Sequence, residues 1–508
     1  MQRLKRVWIV HAILPLLILL AANPAASQTP TGGWRADVRG FAQRLVDAGL
    51  TPGMSIAITM GDSVIYTGAF GVADAQTGRL VDEETAFYIA SSTKALTATA
   101  VVLLAERGEL DLGAPVSRYL PDLRLRPPLD ADSISIQALL TMTHGIKNGG
   151  PVVLRTAFTG DFTPETLIRI LGLYPPAESG RAFKYGNLGY NILGLVLDPD
   201  DGEGWKDVVR REVLEPLGMT ETSARLSELV PGRIAMPHSI VPDRGFQRVP
   251  LAKADANLHA AGGHFATPRD LARFVAAHVA EGILEGERIF SAEAIVSTHR
   301  KHADQDRDFG PFHRFGWGYG WDLGTFEGDT IVHRFGSFSG YRSHMSFMPA
   351  HGIGVIVLVN GDGPASPAAD LMATYAYDRL LDKPDLAATY DTRFAELEAA
   401  ADEAEERLAQ HLAERAVRQE PLPHALEAYA GVYEHPALGK MEWRVEDDRL
   451  VVRMGVAESE AEAYAAAEDQ LRVELTGGGE VVDFTFPVGG GPAESIEYNG
   501  FTLVRVEE

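Results

Sequence analysis

Apolar runs with the length of β-strands lie at both ends of one long segment, from about Trp34 to Pro384, and helix-length runs lie between them. Residues 53–74 read as two strands around a turn at Gly61-Asp62. Residues 329–360 again read as strands joined by turns. We therefore predict an α+β fold: an antiparallel sheet flanked by helices, closed by strands distant in the chain, with a helical lobe inserted between them.

The composition changes twice after this segment. From about Thr389 to Gln419 the chain is acidic, rich in Ala and free of Gly and Pro, which predicts one long helix that ends before Pro421. Short alternating runs separated by Gly-rich turns then continue to Glu508 and predict a small all-β, barrel-like domain. The predicted units are a large α+β domain (34–385), an acidic helical linker (386–420) and a C-terminal β domain (421–508).

The N-terminus has the pattern of an export signal. Three basic residues within the first six precede an apolar run of 16 residues, Val7–Ala22. Small residues Ala25 and Ser27 then stand at −3 and −1 relative to Gln28. We predict a signal peptide at residues 1–27, a secreted or periplasmic mature protein, and no stable membrane insertion after cleavage, because the run is short for a membrane span.

Charge and cysteine content exclude several classes of function. The chain carries 46 Lys and Arg against 70 Asp and Glu, a net charge of −24, whereas nucleic-acid binding needs clustered positive charge. The absence of cysteine excludes disulfides, thiol nucleophiles, Cys-ligated zinc and iron–sulfur clusters. The histidines show no metal-ligand spacing, so we expect neither a metal nor an organic cofactor. The sequence leaves the oligomeric state open.

Ser91 and Lys94 form the only Ser-x-x-Lys in the chain, at the start of an apolar, helix-compatible run. The i, i+3 spacing places both side chains on one helix face. A lysine desolvated at a helix start can lose its proton and act as a base for the serine hydroxyl, and the helix N-terminus offers N–H groups to an oxyanion. The structural alternative is a serine N-cap followed by a solvated lysine.

The context of this motif resembles a known family. The segments are YIASSTKALTATAVVLLAERGELDLGAPVSRYLPDL, SISIQALLTMTHGI, KYGNLGYNILG, LEPLGMTET and AAGGHFATPRDLARF, in this order. They resemble the serine β-lactamase and penicillin-binding protein superfamily, and within it the branch of class C β-lactamases, D-alanyl-D-alanine carboxypeptidases and family VIII esterases. The resemblance spans most of residues 35–380. The C-terminal domain resembles the small lipocalin-like domain often appended to this branch, which suggests a stabilising or lid module.

The resemblance assigns roles to Tyr185 and Asn187, which form the only Tyr-x-Asn in the chain. It implies that Tyr185, beside Lys94, relays a proton to the leaving group. It implies that the Asn187 amide binds a substrate carbonyl and Lys94 together. A lone tyrosine is otherwise more often a core aromatic residue with a satisfied hydroxyl.

Two alignments are open for the third motif, a Lys-Thr-Gly or His-x-Gly on a strand beside the site. An ungapped count from Gly340-Tyr341 places Arg334 at its first position, whereas a one-residue insertion would place His333 there. We favour Arg334, because a gap inside a strand would reverse the faces of its side chains. Either residue would stabilise negative charge on the substrate or on the tyrosine.

The residues that follow complete the predicted site. Ser337 would supply the second oxyanion N–H, and Gly336 would allow close backbone approach. Phe335 stands where the family has a threonine that helps to hold a substrate carboxylate. We expect Phe335 to narrow that side of the pocket, which disfavours strong β-lactamase activity.

Together these features predict an exported serine hydrolase that acts on a small-molecule or peptide substrate. Ser91 would attack an ester or amide carbonyl, with esterase-like specificity favoured, and form an acyl-enzyme. One alternative is a D-amino-acid-specific peptidase or weak β-lactamase that acts on cell-wall-type substrates. The other is a catalytically silent binding module of the same fold.

Overall fold

A computed structural model describes residues 32–147, 156, 162–198, 204–251, 253–417, 421–436, 438–475 and 479–507. The predicted signal peptide, residues 1–27, lies outside the described residues. The described α-helices are α1 (Trp34–Asp47), α2 (Thr93–Glu106), α3 (Ile136–Leu140), α4 (Pro164–Leu171), α5 (Leu188–Val196), α6 (Gly204–Val209), α7 (Pro268–Val279), α8 (Ala292–His299), α9 (Ala365–Leu380), α10 (Leu386–Ala416) and α11 (Leu426–Tyr429).

A nine-stranded antiparallel sheet organises the large domain. Its strands, in spatial order, are β10 (Ala303–Phe309), β11 (Phe312–Trp317), β12 (Asp322–Phe326), β13 (Asp329–Phe338), β14 (Tyr341–Met348), β15 (Ile353–Val359), β1 (Gly53–Met60), β2 (Ser63–Asp74) and β3 (Arg79–Leu80). β1 pairs with β15, from Met54 opposite Val359 to Met60 opposite Ile353. The predicted α+β architecture is therefore confirmed, including closure by strands distant in the chain and the two-residue turn at Gly61-Asp62.

Short strands pair outside this sheet. They are β4 (Phe87–Tyr88) with β7 (Phe265–Ala266), β5 (His238–Val241) with β6 (Gly245–Arg248), and β8 (Ile283–Leu284) with β9 (Glu287–Arg288). The β4–β7 pair matters for the site, because it fixes the chain three residues before Ser91.

Both faces of the central strands are covered, so these strands are apolar without alternation. One face of β1 and β15 packs with α1 and α9 in a cluster that includes Ile56, Ile58 and Val357. The other face, with Ile356 and Leu358, belongs to a larger cluster that also contains the apolar residues of α2 and α7. The sheet is thus a rigid middle layer between two helical layers.

Helix α2 carries the Ser-x-x-Lys motif into the interior. Its first twelve residues, Thr93 to Leu104, are all buried. A helix that is buried on every side is stable only when surrounded by protein, and α2 packs against α5, α6 and α8. Lys94 is therefore shielded from water because the whole first part of its helix is buried.

The C-terminal strands form a second antiparallel sheet of nine strands that is nearly closed. In spatial order they are β19 (Ala457–Glu460), β18 (Arg449–Met454), β17 (Gly439–Glu446), β16 (Gly431–His435), β24 (Phe501–Val506), β23 (Ser495–Tyr498), β22 (Glu480–Thr485), β21 (Gln470–Val473) and β20 (Glu462–Ala465). Side chains fill its interior, among them Tyr433, Met441, Trp443, Val452, Ile496 and Tyr498, each at most 1% exposed. At the end of α10, Arg415 forms an ion pair with Glu462 of β20.

Within the described part of the chain, α10 is the longest helix, and none of the helices there combines the length and apolarity that a bilayer crossing requires. In α10 only Tyr390, Phe394 and Leu397 are buried, all in its first half.

Two histidines are hydrogen-bonded to each other inside the large domain. Nδ1 of His278 on α7 lies 2.7 Å from Nε2 of His299 on α8. Burial lowers the pKa of His299 to about 3 and holds the pKa of His278 well below its ordinary value. The imidazole of His299 is therefore neutral in the folded protein at every pH above about 5, and burial disfavours protonation of His278 as well.

This pair predicts acid sensitivity. Below pH about 6.5 only the unfolded chain takes up protons on these imidazoles, so the free energy of unfolding should fall as pH decreases, by up to about 1.4 kcal/mol per pH unit for each histidine. We expect His299→Gln to show a shallower fall between pH 6.5 and 5 in urea unfolding followed by tryptophan fluorescence. His411→Gln, at an exposed position of α10, is the control. Equal slopes in wild type and His299→Gln would contradict the prediction.

Candidate active site

Ser91 lies in a tight turn that leads into α2. Residues Ala90–Ser92 form a 3₁₀ turn, and Ala90 has φ 44°, a left-handed conformation that is unfavourable for a residue with a side chain. The turn is held by its neighbours: Ser343 Oγ on β14 donates to the Ile89 carbonyl at 2.8 Å and lies 2.8 Å from Ser92 Oγ. Strain next to a nucleophile persists only when the surroundings enforce it, as they do here.

Gly336 on β13 lies against this turn. A Cβ at this position would clash with the Ile89 carbonyl oxygen and the Ser343 hydroxyl. The close backbone approach expected at Gly336 is therefore made by the Ala90–Ser92 turn and the Ile89 carbonyl before it. This contact sets the distance between β13 and Ser91.

Lys94 is fully buried, with 0% exposure. Its Nζ donates to Asn187 Oδ1 at 2.6 Å and to the Ala261 carbonyl at 2.9 Å, and it lies 3.1 Å from Ser91 Oγ. Burial lowers the pKa of Lys94 to about 8, although the nearby Tyr185 opposes the shift. A neutral amine that donates its two N–H groups to Asn187 and Ala261 directs its lone pair at the Ser91 hydroxyl, the arrangement of a general base.

Tyr185 is the second titratable group beside Ser91. Arg334 NH2 donates to its hydroxyl at 3.2 Å, and Lys94 Nζ lies 5.1 Å from its ring centroid. Burial alone would raise the pKa of Tyr185, but the charges of Arg334 and Lys94 and hydrogen bonds with Ser91 and Lys94 outweigh it and lower the pKa to about 8. The ring packs edge-on against Trp317. The amine and the phenol therefore lose a first proton near pH 8 and share the one that remains.

Asn187 reaches Lys94 because of its place at a helix end. It is the N-cap of α5, yet its side chain makes no capping hydrogen bond to that helix. Its amide oxygen is thus directed to the lysine instead. The Tyr-Gly-Asn segment enters the site from the inserted lobe, opposite the sheet.

Strand β13 brings Arg334 to the site and His333 to the other face. His333 is fully buried, accepts a hydrogen bond from Arg314 Nε at 3.1 Å and packs edge-on against Phe312. Side chains alternate along a strand, so only one of two successive residues can face Tyr185. The alternative that placed His333 in the third motif is therefore wrong, and Arg334 faces the tyrosine.

Phe335 also lies on the face away from Tyr185. Its ring packs with Phe309, Phe312 and His344 in the core beneath the sheet, and it is 2% exposed. The expectation that Phe335 narrows the substrate pocket is wrong for this reason. Phe335 therefore does not disfavour β-lactam substrates.

Ser337 lies on an open edge of β13. β12 begins at Asp322 opposite His333, so the end of β13 has no strand of the sheet on that side. Phe338 pairs with Tyr341 across a two-residue turn, which makes them a hydrogen-bonded pair and turns the N–H of Ser337 away from β14. The N–H of Ser337 is therefore directed out of the sheet, next to Gly336, which lies against the Ser91 turn.

Several contributors to the site were not foreseen. The Ala261 carbonyl lies within the segment AAGGHFATPRDLARF, but a backbone carbonyl has no side-chain signal to mark it. The Asp322 carboxylate lies outside the quoted segments. Trp317 belongs to a run of alternating aromatic residues, Phe315, Trp317, Tyr319 and Trp321, and it is fully buried. The alternation of aromatic residues was the one signal for it, but this pattern does not distinguish a wall of the site from the core.

A second serine, Ser346, has the hydrogen-bond partners of a catalytic triad. His344 Nε2 lies 2.7 Å from Ser346 Oγ, and His344 Nδ1 lies 2.8 Å from Asp370 Oδ1. Ser346 and His344 are fully buried, and Ser346 also contacts the Tyr377 hydroxyl at 2.9 Å. A substrate cannot reach this serine, so the group ties β14 to α9.

Three further histidines of the large domain, His144, His259 and His264, are buried. His144 Nδ1 accepts from the Ile146 N–H at 3.1 Å, and burial lowers its pKa to about 4. Burial also keeps the pKa of His259 well below its ordinary value and lowers that of His264 to about 3. In the ranges that the structure describes, no three His, Asp or Glu side chains form a group able to hold a metal ion.

The chain was compared with known proteins. The beta-lactamase family matches residues 38–378, about two thirds of the chain. Penicillin-binding protein 4 of Amycolatopsis lactamdurans is 28% identical over 324 residues, 63% of this chain and 84% of that protein. Esterase EstB of Burkholderia gladioli is 33% identical over 210 residues, 39% of this chain and 53% of the esterase.

A solved structure shares the complete architecture. The octameric penicillin-binding protein homologue from Pyrococcus abyssi aligns with a TM-score of 0.58 at 24% identity, over 92% of this chain and 99% of that chain. At 24% identity this match shows similarity of fold, and it covers both domains. The family match over residues 38–378 and its hydrolase relatives show that the protein is a serine hydrolase that belongs to the beta-lactamase family.

Proposed function

We propose that the protein is an exported hydrolase that cleaves an ester or amide bond through an acyl-enzyme on Ser91. The observation that carries this proposal is the fully buried Lys94 amine, 3.1 Å from the serine hydroxyl. A structural serine cap needs no basic group beside it, and a buried ammonium is costly. The arrangement is therefore one that favours catalysis.

Acylation begins with a proton transfer. Neutral Lys94 takes the proton of Ser91 Oγ as the oxygen forms a bond with the substrate carbonyl carbon. The carbonyl oxygen becomes an oxyanion that accepts hydrogen bonds from the N–H groups of Ser91 and Ser337. Asn187 holds the amine and orients the substrate from the lobe side.

The leaving group departs with a proton from Tyr185, which leaves Ser91 acylated. Lys94 and Tyr185 have similar pKa values, so the proton that Lys94 received can replace the one that Tyr185 gave at little cost. In deacylation the pair reacts in its other form, with Tyr185 as phenolate and Lys94 protonated. The phenolate takes a proton from water as the water attacks the acyl carbon, and Lys94 gives its proton to Ser91 Oγ as the acyl group leaves. Arg334 stabilises the phenolate form of Tyr185 throughout.

Ester substrates are the class that we favour, with the esterase relative as support. The second candidate is a peptide or β-lactam substrate of cell-wall type, and the penicillin-binding relative supports it. The N-terminal sequence pattern supports a secreted or periplasmic location. The acidic charge of the chain supports a small-molecule or peptide substrate and not a nucleic acid.

We expect Ser91→Ala to abolish turnover of a p-nitrophenyl short-chain ester while the protein stays folded, because the acyl-enzyme cannot form. The intact-protein mass should show a fluorophosphonate adduct on wild type and none on Ser91→Ala. Any adduct formed with a penicillin should likewise require Ser91. Ser346→Ala is the matched control, since it removes the buried serine of the triad-like group and should retain the adduct. Turnover by Ser91→Ala would refute the mechanism. A penicillin adduct on wild type would favour the second candidate.

The paired titration predicts a pH profile. The active form holds one proton on the Lys94–Tyr185 pair, and below pH about 8 the pair holds two, so kcat/KM should fall about tenfold per pH unit on the acid side. Tyr185→Phe should lower kcat by about 10²–10⁴-fold. Tyr190→Phe is the control, because its hydroxyl donates to the Leu140 carbonyl and takes no part in the reaction. A flat profile from pH 6 to 8 would contradict the paired titration.

A further inference from the structure

Arg334 has almost no hydrogen-bonding capacity left for a substrate. Its NH1 donates to Asp322 Oδ2 at 3.0 Å, and its NH2 donates to the Tyr185 hydroxyl at 3.2 Å and to the Phe335 carbonyl at 2.9 Å. Its Nε donates to the same carbonyl at 3.0 Å. The side chain is only about 5% exposed. Four of the five N–H groups of the guanidinium are thus used within the protein.

Asp322 is the anion that holds Arg334 in this position. It is fully buried, and its other oxygen, Oδ1, accepts from Gln305 Nε2 at 2.9 Å. Arg314 NH2 lies 3.4 Å from Oδ2, so two buried guanidinium groups share one carboxylate. An ion pair shielded from water is difficult to break, because either partner alone would be left buried and uncompensated.

This arrangement has a consequence for the substrate. Arg334 contacts the hydroxyl of Tyr185, the group that protonates the leaving group in the proposed mechanism, so its guanidinium lies beside the place where the leaving group departs. A carboxylate on the leaving group would have to displace Tyr185 or the Phe335 carbonyl to reach it. It would also lose its own hydration there without gaining a free partner.

We propose that Asp322 is a specificity-determining residue: by holding Arg334 against Tyr185 it makes the site select esters or amides whose leaving group carries no carboxylate. Arg334 is then a positioning residue for Tyr185 and does not bind the substrate. This inference rests on the proposed acyl-enzyme function and names its substrate class.

The test on the wild-type protein uses two acetyl esters that differ only in the charge of the leaving group, 4-acetoxybenzamide and 4-acetoxybenzoate. We expect kcat/KM to be about tenfold or more higher for the neutral benzamide, mainly through a lower KM, as for a pocket that lacks a partner for a charged group. Equal or faster hydrolysis of the benzoate would overturn the inference while leaving the acyl-enzyme intact. Failure to hydrolyse either ester would instead count against the proposed function on which the inference rests.

Asp322→Asn tests the residue itself. Loss of the carboxylate frees one side of the guanidinium, so the preference for the benzamide should shrink about tenfold. Asp370→Asn is the matched control, because Asp370 pairs with Arg342 and His344 on the opposite face of the sheet and should leave the preference unchanged. A folded Asp322→Asn with the wild-type preference would overturn the proposal.

Arg334→Gln keeps the proposal testable if Asp322→Asn does not fold. If Arg334 serves Tyr185 alone, both esters should lose activity by the same factor, mainly in kcat, and the preference should stay as in wild type. A selective loss on the benzoate would show that Arg334 binds the substrate carboxylate and would overturn the proposal.

Discussion

The desolvation of one lysine governs the chemistry of this protein. Lys94 lies in a helix that is apolar on every side, and its lowered pKa corresponds to about 3 kcal/mol of preference for the neutral amine. A lysine in water would be protonated and useless as a base at neutral pH. The carbonyl groups of Asn187 and Ala261 occupy its N–H groups, which leaves the lone pair for Ser91. In the proposed mechanism, the large core around α2 is therefore what allows Lys94 to act as a base.

The same low-dielectric environment makes the electrostatics of Tyr185 effective. Arg334 and Lys94 lower the pKa of the phenol against the effect of burial, and Asp322 keeps the arginine in place. In water the same charges would be screened and their effect on the tyrosine small. A chain of neighbours, from Asp322 through Arg334 to Tyr185, thus joins the sheet to the lobe across the site. The catalytic residues themselves come from three separate parts of the chain.

The geometry of β13 decides which residues take part. Gly336 lets the strand approach the nucleophile turn, and the open edge beyond His333 leaves the N–H of Ser337 turned outward. The alternation of the strand places Arg334 toward the tyrosine and both His333 and Phe335 in the core. A shift of one residue would exchange these roles. The two-residue turn between β13 and β14 fixes this register.

The sequence by itself determined the local motifs and the fold class. Ser91 and Lys94 share one helix face because of their spacing, and strands at both ends of the large segment required a sheet closed between distant parts of the chain. The preference for Arg334 over His333 also followed from strand alternation. Only the tertiary structure decided where Phe335 points and which groups satisfy Lys94 and Arg334, since Ala261 and Asp322 lie 167 and 12 residues away from them in the chain. Spacing determines which side chains of one element lie together, but contacts between elements depend on how the whole core packs.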